Sequence, residues 1–219
     1  MRKYILLYIL PISFVVLLMS ITYATEKTPI KLRSSYKELS VAQVQSMPNM
    51  SIREKGFSMV YNHFILGFYG YSTINHSYDL KSINGDIVVI DNATGLMWHQ
   101  SGSDNYMVWR DAKEWIRSLN SRNYAGYNDW RLPTVEEAAS LLESRMANDR
   151  YIDRVFSDEQ TWIWIGDKWS EEEFVIGFDD FVREGAWTLF FGYGSLWKGV
   201  IKTADAEGGY HVRPVRSLK

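Results

Sequence analysis

The sequence predicts an α+β domain: two helices set against a mostly antiparallel, twisted sheet. Three observations carry that reading. A hairpin signal lies in "NGDIVVIDNATGLMWHQ". Two amphipathic helical stretches follow it, "NYMVWRDAKEWIRSLNS" and "RLPTVEEAASLLES". The rest of the chain is a series of short, β-branched or aromatic segments bounded by Gly, Asp or Ser. Helices grouped apart from strands, not alternating with them, favour α+β over a doubly wound α/β fold.

The first 24 residues stand outside this domain. Arg2 and Lys3 precede an apolar run from Tyr4, and Ala24 is a candidate cut site. That is the pattern of a signal peptide. The apolar run also approaches the roughly 20 residues that span a bilayer, so an uncleaved anchor over residues 4–24 is the alternative. Both place the remainder outside the cytoplasm, in the periplasm or beyond. There is no cysteine, so packing alone must hold the exported fold. Thiol nucleophiles, thiolate metal sites and lipoprotein attachment are excluded with it.

All nine tryptophans fall between Trp98 and Trp197, and none between Thr25 and Gly85. This shift divides the chain into an extension, residues 25–84, and a core domain, residues 85–219. In the extension, "ELSVAQVQSMP" reads as a short helix with Ser40 as N-cap and Pro48 as its stop. The aromatic-rich "KGFSMVYNHFILGFYGYSTINHSYDL" reads as packing on the core domain.

In the core domain, strands Asp86–Ile90 and Leu96–Gln100 flank a turn. Asp91 and Asn92 suit its first positions, and Gly95 supplies positive φ. Trp98 brings apolar bulk to the second strand. In the first long helix, Val108, Ala112, Trp115, Ile116 and Leu119 share one stripe. Thr134 and Glu137 form a T-x-x-E capping box for the second, whose buried face is Val135, Ala138, Leu141 and Leu142. Between the helices, Gly126 closes a loop, and Asn128 and Asp129 turn the chain. Trp130 and Leu132 point inward, and Pro133 leads into the second helix. Arg131 is expected to hold a buried or half-buried partner with its planar guanidinium. "TWIWIG", "EFVIGF", "AWTLFFGYG" and "YHVRPVR" read as strands, with Pro214 placing the last at an edge or bulge.

Chemistry is weakly signalled. The histidines at 63, 76, 99 and 211 lack H-x-H or H-E-x-x-H spacing, so no metal and no cofactor is expected. "GYGSLW" fails the G-x-S-x-G elbow because Tyr193 replaces its first Gly. Acidic clusters stand at Glu171-Glu172-Glu173 and Asp179-Asp180. Without residues 1–24, which hold two basic residues and no acidic one, the chain has 22 Lys+Arg against 26 Asp+Glu, a net charge near −4. That gives no support for nucleic-acid binding. It also argues against polyanion binding in general, and leaves room for a local basic patch. Lys168, Trp169, Tyr193, Trp197 and Lys198 are expected in loops after the late strands. There the aromatics either cover the edge of the core or stack on sugar rings, with ligand contacts in the second case from Lys168–Glu173 and Tyr193–Lys202.

Several stretches together resemble one family. They are "VVIDNATGLMWHQSG", "DAKEWIRSLNSRNYAGYNDWRLPTVEEAASLL", "YIDRVFS", "AWTLFFGYG" and "YHVRPVR". The pattern is similar to the Lcl C-terminal domain family, named for a bacterial collagen-like adhesin, over roughly Gly85–Ser217. Val108 departs from it where a helix-capping Asn, Ser or Thr is common, and Pro214 where a small residue is usual. The resemblance implies a C-type-lectin-like fold and a secreted or surface-facing domain, used by some members to bind sulfated polysaccharide or host glycans. "RLPT-x-x-E" and "GYHVRPVR" also resemble formylglycine-generating enzymes. Their chemistry needs cysteines and copper, and it does not carry over to a chain without Cys.

The leading expectation is an exported binding or adhesion domain for a glycan or cell-surface polysaccharide. An enzyme would need at least two of Glu171, Asp179, Asp180, His99 and His211 to converge in one pocket. A structural or partner-binding envelope domain would present an apolar patch over Gly56–Leu80.

Overall fold

The computed structural model describes residues 28–60, 63–169, 185–200 and 209–218. The expected leader, the expected strand "EFVIGF" and the acidic clusters at 171–173 and 179–180 lie outside them. Among the described residues no helix is long and apolar enough to cross a membrane.

Two sheets form the molecule. Five strands come from the first half of the described chain: β1 (Glu38–Leu39), β2 (Met50–Val60), β3 (His63–Ser72), β4 (Tyr78–Ile83) and β5 (Asp86–Asp91). They are followed by β6 (Leu96–His99), β7 (Trp162–Trp169), β8 (Gly185–Phe190), β9 (Ser195–Val200) and β10 (Val215–Ser217). The larger sheet runs β1-β7-β8-β9-β3-β2, and the smaller runs β10-β6-β5-β4. Every pairing is antiparallel except β1 with β7. The α+β reading therefore holds, with the helices segregated from antiparallel strands. The extension does more than pack on this core: β1, β2 and β3 extend the larger sheet, and β4 pairs with β5 along its length.

The hairpin forms as the turn chemistry requires. Asp91 accepts from the Ala93 N–H at 3.1 Å and the Thr94 hydroxyl at 2.5 Å, and Gly95 has φ +68°. Helix α1 (Val41–Gln45) has a complete capping box between Ser40 and Gln43. Helix α2 (Trp109–Ser121) buries Ala112, Ile116 and Leu119, and its N-cap Val108 makes no side-chain cap. Helix α3 (Val135–Ser140) is shorter than expected. Its cap forms as read, and Leu141 and Leu142 stay buried just past its end.

The main core lies between the sheets. Val89, Leu96 and Trp98 meet Ile163, Ile165, Trp187 and Leu189, with α3 contributing Val135 and Ala138. Leu39, Val41, Val44 and Phe68 of the extension belong to the same cluster. The last strand is an edge strand: β10 pairs with β6 on one side and makes a bridge with Arg131 on the other, directly after Pro214.

Candidate functional site

The stretch "GYNDWRLPT" organises the middle of the molecule. Gly126 takes φ +81°, and the Trp130 and Leu132 side chains are buried. Asn120 closes the loop, donating to the Trp130 carbonyl and accepting from its N–H, each at 2.8 Å. Asp129 accepts from Arg216 of β10 at 2.6 and 3.2 Å, so it holds the C-terminal strand as well as turning the chain. Arg131 donates from both terminal guanidinium nitrogens to the two Glu137 carboxylate oxygens, each at 2.6 Å. Glu137 also accepts from the Thr134 N–H at 2.9 Å, so one buried carboxylate serves the clasp and the helix cap together. Burial works against charge on Arg131. The hydrogen bonds and charge of Glu137 outweigh it and raise the guanidinium pKa above its ordinary value.

A strap, residues 28–37, crosses this stretch before entering β1. Arg33 donates to both oxygens of buried Asp167 in β7, at 2.8 and 2.7 Å, and to Glu136 of α3 at 3.2 Å. Asp167 accepts in addition from the Lys37 N–H at 2.6 Å and the Val135 N–H at 2.7 Å. Tyr36 lies against Gly166, where any Cβ would overlap its ring. Its hydroxyl donates to the Leu132 carbonyl at 2.9 Å, and burial pushes its pKa up to about 12, so it stays a neutral donor.

Between strap, α2 and β7 opens a groove of about 550 Å³. Ile116, Leu132 and Gly166 give it apolar lining, with Tyr36 and Trp109 as aromatic walls. Both aromatics are pinned by hydrogen bonds, Tyr36 as above and Trp109 through Nε1 to the Ile165 carbonyl at 3.3 Å. Lys37, Lys113, Arg117, Arg131 and Lys168 bring positive charge, and Glu38 is the acidic residue in the lining. The Lys113 Nζ sits 3.9 Å from the Trp109 ring centroid and the Lys168 Nζ 5.9 Å from the same ring. Such contacts draw cations to an indole face. Arg117 pairs with Glu114 at 2.7 Å. Among the described residues neither Lys113 nor Lys168 has a carboxylate partner.

The five residues expected to contact ligand separate. Lys168 is corrected to a strand, since it lies in β7 and not in a loop, and it is exposed and lines the groove. Tyr193 is 65% exposed, on the turn between β8 and β9, and packs edge-on to Phe190. Trp169, Trp197 and Lys198 are corrected: they lie in strands, not loops, and are 3%, 2% and 5% exposed. The indoles occupy slots that glycines leave open. Trp169 lies where Gly185 has no side chain and donates to the Gly199 carbonyl at 2.8 Å, and Trp197 lies over Gly67. Lys198 has its Nζ 5.3 Å from the Trp169 ring. Tyr36, Lys37, Trp109 and Lys113 were missed. One signal was present: Trp109 and Lys113 stand four apart on α2, one helical turn from each other.

The histidines serve separate contacts. His99 accepts at Nδ1 from the Gly102 N–H at 2.8 Å and stacks on Tyr124, and burial pushes its pKa down to about 3. His211 meets the Ser103 carbonyl at 2.9 Å and packs on Tyr106, its pKa lowered mainly by burial. His76 bridges Asp91 at 2.8 Å and the Ser140 carbonyl at 2.7 Å. His63 lies in β3. Among the described residues no three His, Asp or Glu side chains assemble as a metal site. The three carboxylates of the enzyme reading lie outside them.

No curated protein and no solved structure matches the chain. A family model described as the Lcl C-terminal domain matches residues 87–216, from β5 through the Arg131 clasp to β10. That span is more than half of the chain and contains the hairpin, both long-helix signals and the closing strand, so the chain belongs to the Lcl C-terminal domain family.

Proposed function

We propose that this chain is an exported, non-catalytic binding domain of adhesion type, and that its ligand is an acidic glycan seated in the Trp109 groove. Family membership supports the adhesin-type reading. The observation that carries the ligand class is Lys113 and Lys168 converging on one pinned indole in an apolar-lined groove. A sugar ring offers C–H faces to an aromatic wall, and sulfate or carboxylate substituents suit unpaired ammonium groups. Net charge does not oppose this, because the basic residues are gathered locally. Export rests on the pattern of residues 1–24, and the two-sheet architecture is read, through the family, as C-type-lectin-like.

The test is titration of the full chain with a sulfated, uronic-acid-containing hexasaccharide and with a neutral glucan hexasaccharide. The acidic sugar is expected to bind, and more weakly as salt rises. Trp109→Ala is expected to weaken binding about tenfold or more, the scale of one lost hot-spot aromatic. Cleavage of the bound sugar would contradict the non-catalytic reading.

A further inference from the structure

We infer that the strap is one wall of the binding site and sets its charge selectivity, so that the recognition unit extends beyond the family-matched span. This inference rests on the groove reading above. Three lining residues, Tyr36, Lys37 and Glu38, precede residue 87, where the family match begins. The opposite wall, Trp109, Lys113, Ile116 and Arg117, lies on α2, within that match. Without the strap and Glu38, which begins β1, the groove would lose an aromatic face, one cation and its acidic residue, and would open to solvent.

The strap is seated by contacts that fix its register. Arg33 meets Asp167 through two hydrogen bonds, the Lys37 N–H meets the same carboxylate, and the Lys168 N–H donates to the Lys37 carbonyl at 3.0 Å. Glu38 and Leu39 then pair with Lys168 and Trp169. This register sets Lys37, Glu38 and Lys168 side by side at the groove. Tyr36 is held against Gly166 yet remains 47% exposed, so a ring already fixed in place faces the groove. A fixed wall loses little conformational freedom when ligand arrives. Lys37 attracts an acidic ligand and Glu38 repels it, so this pair limits how much negative charge the site accepts.

The side chains of Lys37 and Glu38 are exposed, so charge reversal there leaves the packing intact. The experiment titrates the full chain and its variants with the same acidic hexasaccharide and records thermal unfolding beside each titration. Lys37→Glu is expected to weaken binding and Glu38→Lys to strengthen it, each by about threefold to tenfold, with unfolding temperatures unchanged. Tyr36→Ala, which removes the ring, is expected to bind more weakly. A strap that only stabilises the fold would not give opposite responses to the two reversals. If both reversals leave affinity unchanged while Lys113→Glu removes it, the strap inference falls and the groove reading stands. If the native chain does not bind the hexasaccharide, both fall together.

Discussion

Arg131 and His99 are the residues whose chemistry leaves least freedom. The guanidinium of Arg131 matches the Glu137 carboxylate edge to edge, and Glu137 is fully buried. Lys offers a single ammonium and cannot reproduce the fork. Arg131→Lys is therefore expected to cost about 2 kcal/mol in urea unfolding, less than the roughly 3–5 kcal/mol for removing one partner of a buried pair, because Lys keeps the charge. Unchanged stability would contradict the clasp. His99 is held neutral because Nδ1 already accepts the Gly102 N–H and burial opposes charge, with Arg213 and Arg122 adding repulsion. Its folded pKa, about 3, lies below the unfolded value near 6.5. The unfolded chain thus takes up a proton that the folded chain refuses. The contribution is complete above about pH 6.5 and is lost as pH falls toward 3, by roughly 1.4 kcal/mol per pH unit. His99→Gln keeps an acceptor without the titration. Its stability is expected to fall less steeply than native between pH 6 and 4, and equal slopes would contradict the assignment.

At the scale of elements, the local signals were legible and the pairings were not. Ser40 as N-cap, and Thr134 with Glu137 as a capping box, announce helix starts because caps lie within four consecutive residues. The Asp91–Gly95 turn is equally local. Trp169 and Trp197 were misplaced because what buries them is far along the chain. Polar neighbours mark a loop, while the glycines that open slots for the rings lie on partner strands. No single sequence states that β3 runs beside β9. Gly67→Ala is expected to displace Trp197 and cost about 1–3 kcal/mol, as overpacking does. A calorimetric midpoint equal to native would show that the indole does not need that slot. The strap was likewise illegible: "TEKTPIKLRSS" looks like a polar leader, and Arg33 gains meaning only when Asp167 and Glu136 are brought to it.

For the whole molecule, the family span and the folded unit are different lengths of chain. Residues 87–216 carry the family pattern, yet Leu39, Val41, Val44 and Phe68 belong to the main core, and β4 completes the smaller sheet. The candidate site shows the same division, with Tyr36, Lys37 and Glu38 before the family span and Trp109, Lys113 and Lys168 within it. Among the described residues of the ligand site expected from sequence, only Lys168 is in this groove, because the groove joins the strap, α2 and β7, which no local pattern connects. Charge behaves the same way: an acidic average conceals a basic patch that forms only on folding. The most direct measurement is calorimetric titration of the full chain with the sulfated, uronic-acid-containing hexasaccharide, native beside Trp109→Ala. Saturable native binding that weakens with salt and is lost or reduced about tenfold in Trp109→Ala is the predicted result. No native binding, or equal affinity in the two proteins, would contradict a glycan site in this groove.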